Sequence, residues 1–180
     1  MTRIILLSAA RGAGKTTAAW RAAERARAMG LGIGGILAPA RYDPSGHKVG
    51  IDVLDLAGGD TRPLAERTPD APDATIGEYT FDAEVLSWSL GIVLAALDEP
   101  LDAVWIDEIG RLELEREAGY APALAALYGA QAANAILLVR DRFVPDLQRR
   151  LAGLPRELVL LSAGNRDAVP AEIVRLLATN

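Results

Sequence analysis

Cysteine is absent from the chain and histidine occurs once, at His47. The first absence excludes a disulfide framework and any thiolate metal site. The second removes the parts for a histidine zinc site or a Ser–His–Asp triad. Aromatic residues make up only 5% of the sequence, and an excess of positive charge is missing too: 19 Lys and Arg against 24 Asp and Glu give a net charge of −5. General binders of nucleic acid or of anionic membrane surfaces depend on the opposite balance, so neither partner is expected. No apolar run approaches the roughly 20 residues of a membrane span. Met1-Thr2-Arg3 followed by Ile4 to Leu7 is too short for a secretory signal and lacks a cleavage site. What is present is 180 residues, 51% of them apolar, enough for one domain with a real core. The expectation is a cytoplasmic α/β protein folded as a single domain over residues 1–180.

Ile4-Ile5-Leu6-Leu7 is an apolar run without alternation, as in a strand buried on both faces of a parallel sheet. A Gly-punctuated loop follows, then a helix from Lys15 to Met29 with Ala19, Ala22, Ala23, Ala26 and Met29 on one stripe and Gly30 placed to stop it. Ile33–Arg41 and Lys48–Leu56 read as strands around the turn Asp43-Pro44-Ser45-Gly46, an inserted β-hairpin spanning about residues 33–56. Gly58 to Thr75 reads mostly as loop, and Ile76 to Phe81 as a short extended piece. Asp82 is placed to cap a helix running to about Leu97, with Trp88 in the core. Ala103–Ile106, Ala135–Val139 and Glu157–Leu161 are further core strands; Trp105, in the first of these, is expected in the core. Helices are expected within Glu113–Gly129, at Pro145–Ala152 and at Pro170–Ala178. Strands alternating with helices imply a three-layer, doubly wound, mostly parallel sheet.

The strongest motif is Ala9-Ala10-Arg11-Gly12-Ala13-Gly14-Lys15-Thr16, directly after the first strand. It fits the phosphate-binding Walker A pattern, with Ala9 where the first Gly is usual. Gly12 and Gly14 let backbone N–H groups turn inward toward phosphate oxygens, and the helix beginning near Lys15 aims its positive end at the same anion. In this reading Ala10 to Thr17 bind the nucleotide. Lys15 reaches the β- and γ-phosphates, the Thr16 hydroxyl ligates Mg²⁺, and Thr17 contacts the α-phosphate.

Leu101-Asp102-Ala103-Val104-Trp105-Ile106-Asp107-Glu108 is an apolar strand ending in two acids, the Walker B form. An Asp at that position holds Mg²⁺ through water, and the adjacent Glu108 is positioned to orient or deprotonate an attacking water. Asp107-Glu108-Ile109-Gly110-Arg111-Leu112-Glu113-Leu114, together with the phosphate loop, resembles the signature of the P-loop nucleoside-triphosphatases called cancer-related nucleoside-triphosphatases in animals, which have archaeal and bacterial relatives. Gly34-Gly35-Ile36 with Gly46 to Asp52 is similar to that family's Gly-rich hairpin. Ile76-Gly77-Glu78-Tyr79 resembles its Val-Gly-x-Tyr piece, and Asn165-Arg166-Asp167 its late Asn-Arg-Asp. The sequence departs from the family at Ala9 and at Arg41-Tyr42-Asp43-Pro44. The resemblance implies the P-loop fold and Mg²⁺-dependent hydrolysis of nucleoside 5′-triphosphates to diphosphate and phosphate with loose base selectivity. Lys15 and Glu108 are then catalytic, and Thr16 and Asp107 support the metal.

Other residues carry two readings each. Glu113 either approaches the metal or holds Arg111, or it serves the start of a helix. Arg140 and Arg142 either place an arginine finger on the γ-phosphate or are solvated. Arg11 either covers the nucleotide or faces water. Asn165 either meets a base edge or caps a turn, and no aromatic near it is available for stacking. A small-molecule kinase and a non-catalytic nucleotide switch are the rival functions. The kinase needs an acceptor pocket and an Arg-rich lid, and the switch a protein partner that the sequence does not identify.

Overall fold

The computed structural model describes residues 1–69 and 78–179. Its center is a parallel sheet of β2 (Ile33–Leu37), β7 (Ala103–Ile109), β8 (Asn134–Arg140), β1 (Arg3–Ala9) and β9 (Arg156–Leu160), in that spatial order. An antiparallel extension continues from β2 through β4 (Lys48–Asp55), β5 (Thr61–Arg67) and β6 (Tyr79–Phe81), while β3 (Ala40–Tyr42) pairs with β4. In β1, Ile4 and Leu6 face one core while Ile5, Leu7 and Ala9 face the other, which is why an unbroken apolar run suits it. One core is covered by α1 (Lys15–Ala28) and α6 (Val169–Leu177). The other is covered by α2 (Ala83–Leu97), α3 (Arg111–Glu115), α4 (Ala121–Ala126) and α5 (Val144–Arg150). The doubly wound, three-layer architecture is as expected. No helix among the described residues is long and apolar enough to cross a membrane.

Several local expectations hold for the reasons given. Gly30 follows α1 with φ +80°, and the Asp82 carboxylate accepts from the Glu84 and Val85 N–H groups at 2.9 and 3.0 Å. Trp105 is fully buried. Others need correction. Within Gly58–Thr75, read mostly as loop and with residues 70–75 outside the described residues, the strand β5 occupies Thr61–Arg67. Pro63 disguised it: this residue sits where β4 and β5 change register, a place where a missing N–H is tolerated. The first hairpin strand is two strands, broken at Ala38-Pro39. The helix expected within Glu113–Gly129 is two short ones, α3 and α4, and α3 begins ahead of it at Arg111. Trp88 is only half-buried and carries the Arg62 guanidinium 4.0 Å from its ring centroid. Ile76 and Gly77 lie outside the described residues.

Gly35 locks β2 against β7. Its φ is +87°, and a Cβ there would lie 2.1 Å from the Trp105 carbonyl oxygen. Gly35→Ala is expected to destabilize the fold by about 3 kcal/mol or more, lowering the melting temperature by roughly 10 °C. Thermal unfolding followed by circular dichroism checks this; an unchanged midpoint would contradict it.

Candidate active site

The strand order determines which loops meet. Because β8 lies between β1 and β7, the carboxyl ends of these three strands bring together the phosphate loop, Arg140 and the Asp107–Glu108 pair. Ala9 and Arg140 are direct partners in the β1–β8 register.

The loop between β1 and α1 turns on Gly14, the residue before the helix, at φ +93°. A Cβ there would meet nothing, so the requirement is torsional rather than steric. Ala9 ends β1 in extended conformation, so its Cβ is tolerated where the family has Gly. No side chain caps α1 and its first turn holds no acid, which leaves the helix N–H groups to an anion. The Lys15 ammonium donates to the carbonyls of Ala9 and Ala10 at 3.1 and 3.3 Å. Burial lowers its pKa, opposed by the charges of Glu108 and Asp107.

Asp107 is 1% exposed. One carboxylate oxygen accepts from Ala38 N at 2.9 Å and the other from Glu108 N at 2.7 Å, and the nearby Thr16 side chain favors its ionized form. The break at Ala38-Pro39 thus frees an N–H for the acid. Burial, then the neighboring Glu108, push the Asp107 carboxyl up to about 7. A buried carboxylate so destabilized as an anion, with a hydroxyl close by, is an all-oxygen donor set that suits a hard divalent cation. Among the described residues no cluster of three or more His, Cys, Asp or Glu is assembled. An ion there would complete its shell with phosphate oxygens and water.

Glu108 has φ +66°, inside a β-bulge where the β7–β8 register shifts between Ile106 and Ile109. A left-handed non-Gly residue costs of the order of 1–3 kcal/mol. Consecutive strand residues already point to opposite faces; the bulge re-aims the second, so that Asp107 is buried near Thr16 while Glu108 lines the crevice. The Glu108 carboxylate lies 3.8 Å from the Arg140 guanidinium, both about one-third exposed (39% and 36%).

Two cavities adjoin this point. One of 480 Å³ holds Gly12, Gly14, Lys15, Thr16 and Thr17 of the phosphate loop, together with Glu108 and Arg140. The second, of 520 Å³, lies on the other side and shares Arg11, Lys48, Glu108 and Arg140 with the first. Ala10 lines only the second cavity, and Ala13 lines neither but donates its N–H to Ala10 O at 3.3 Å. Asn165 lines neither: its Oδ1 accepts from Ser162 N at 2.7 Å and its Nδ2 donates to Leu160 O at 2.8 Å, so it holds a turn. Glu113 is 2% exposed and accepts from Gly110 N and Tyr120 N at 2.9 and 3.2 Å. It does not hold Arg111, which pairs with Glu115. Sequence reasoning missed Trp20, Tyr42, Pro39 and Lys48 on the phosphate-loop cavity. Trp20 had a signal, being one helical turn beyond Thr16 on an exposed face.

Comparison with known proteins agrees with this geometry. The sequence model of the family described as NTPase matches residues 4–174. Nucleoside-triphosphatase THEP1 of Thermofilum pendens is 30% identical over 175 residues, covering 97% of this chain and 94% of that protein. Its counterpart in Methanosarcina acetivorans is 31% identical over 170 residues, covering 94% and 93%. A human cancer-related nucleoside triphosphatase has the same fold, with a TM-score of 0.75 at 22% identity over 99% of each chain. So does THEP1 from Aquifex aeolicus, with 0.73 at 21% identity over 98% of this chain and 99% of that one. A phosphate loop facing two acids across one crevice, in a chain matched almost end to end, places this protein in the P-loop nucleoside-triphosphatase family, and it is a nucleoside-triphosphatase.

Proposed function

We propose that the protein hydrolyzes nucleoside 5′-triphosphates to diphosphate and inorganic phosphate, with Mg²⁺ and with little preference for the base. The observation that carries this reading is the divergence of Asp107 and Glu108 at the bulge, which puts one acid beside Thr16 and the other into the same cavity as Lys15. The phosphate loop binds the triphosphate through backbone N–H groups and Lys15. Thr16 and Asp107 would hold the metal. Mg²⁺ held there would supply positive charge against the negative charge of the phosphate chain in the transition state. Glu108 accepts a proton from a water in line with the γ-phosphorus, and Arg140, beside Glu108, faces the charge that develops there. Asn165, the one side chain considered for a base edge, is engaged in its own turn.

The test is phosphate release from ATP, GTP, CTP and UTP, with Mg²⁺ and with excess chelator. All four rates are expected within about tenfold of one another, with one phosphate per diphosphate formed and no release once the metal is chelated. A single accepted base, or undiminished release in chelator, would overturn the corresponding part of the proposal.

A further inference from the structure

The 520 Å³ cavity is much larger than the delivery of one water requires. A water occupies about 30 Å³ of liquid, whereas pockets for small organic molecules run from about 300 to 1,000 Å³. Its floor is apolar: Ile51, Leu64, Phe81, Leu86, Leu112 and Phe143. Its polar groups are not balanced in charge. Three of its four acids are engaged locally. Glu78 pairs with Arg67 at 3.0 Å, Glu113 accepts from two backbone N–H groups, and Asp141 accepts from Arg142 N at 2.8 Å. The cations are not matched in the same way. Among the described residues no carboxylate lies within ion-pair distance of Arg11, Lys48 or Arg142. Arg142 rests instead 4.5 Å from the Phe143 ring centroid, and Lys48 lies 5.0 Å from that of Tyr79. An apolar floor with such a rim is complementary to a molecule having a ring-sized apolar body and an anionic group.

We propose that this cavity is a second ligand site, for a small organic anion with an apolar body, and that its occupant slows hydrolysis. The second part rests on the role given above to Glu108. Glu108 and Arg140 line both cavities, so an occupant here contacts the two side chains, whereas Lys15 lines only the first. The occupant restricts the carboxylate that must accept a proton from water and leaves Gly12, Gly14, Lys15, Thr16 and Thr17, which line only the first cavity, to the nucleotide.

The probe is 1-anilinonaphthalene-8-sulfonate, a fused aromatic ring system with one sulfonate, titrated by fluorescence in the presence of saturating MgADP. Saturable binding is expected in the parent protein. Leu86 lines only the second cavity, and Leu86→Trp is expected to fill it and abolish binding while leaving phosphate release from MgATP unchanged. Arg142→Ala removes a rim cation from an exposed position and is expected to weaken binding about tenfold, which keeps the test open if the Trp variant fails to fold. Saturating probe is expected to lower phosphate release by the parent and not by Leu86→Trp. Equal probe binding by all three proteins would overturn the site, and undiminished release at saturation would overturn its effect on hydrolysis. If the parent released no phosphate at all, the hydrolase reading would fail while fluorescence still decided whether the cavity binds.

Discussion

Glu108→Gln is expected to cut the turnover number by about 10²- to 10⁴-fold, the range of a general base, with nucleotide affinity changed by no more than about threefold. Gln keeps the length and hydrogen-bonding capacity of the side chain and removes only the ability to accept a proton. It also keeps the cost of the left-handed backbone, since Gln and Glu are equally disfavored at φ +66°. The substitution loses the 3.8 Å contact with Arg140, but a pair this exposed contributes about 1 kcal/mol at most. Stability should therefore hardly move, and a loss of turnover cannot be ascribed to unfolding. Single-turnover phosphate release, with affinity measured separately on a fluorescent nucleotide, separates the two effects. Equal release by variant and parent would remove Glu108 from the mechanism.

Lys15→Ala should abolish measurable nucleotide binding, an affinity loss of about 100-fold or more. The ammonium is held at the crevice by the Ala9 and Ala10 carbonyls. Burial disfavors its charge, and Glu108 and Asp107 partly oppose that. Its removal leaves two acids near an incoming triphosphate with only the exposed Arg11 as counter-charge from the loop. Thermal shift supplies the readout. At nucleotide concentrations about 100 times the parent's dissociation constant, the parent should gain about 2.7 kcal/mol and the variant about 0.4 kcal/mol or less. A variant that melts like the parent without nucleotide, yet fails to shift with it, isolates binding from folding. An equal shift in both proteins would contradict the assignment.

How much of this was legible in the sequence follows from how local each feature is. The phosphate loop is contiguous, and each part acts through its own backbone torsion or side chain, so Gly12, Gly14, Lys15 and Thr16 could be read directly. Asp107-Glu108 was legible as a pair because an apolar strand runs straight into it. The left-handed backbone that re-aims Glu108 was not legible, since the bulge arises from the pairing of β7 with β8. The Ala38 N–H, which fixes Asp107, belongs to the break between β2 and β3, 69 residues earlier, and shows only as a Pro in an apolar run. Strand β5 was hidden because its polar residues and Pro63 resemble a loop until β4 and β6 are placed on either side. The second cavity is assembled from the hairpin, α2 and the ends of β7 and β8, elements whose proximity no local pattern reveals.

The most direct measurement is a crystal structure of the protein with Mg²⁺ and a non-hydrolyzable ATP analogue. The account predicts the β- and γ-phosphates within the loop at Gly12–Thr16, the metal on the Thr16 hydroxyl beside Asp107, and the Glu108 carboxylate facing the γ-phosphorus. A triphosphate bound elsewhere, or one bound in the loop with Glu108 turned away from its γ-phosphate, would contradict it.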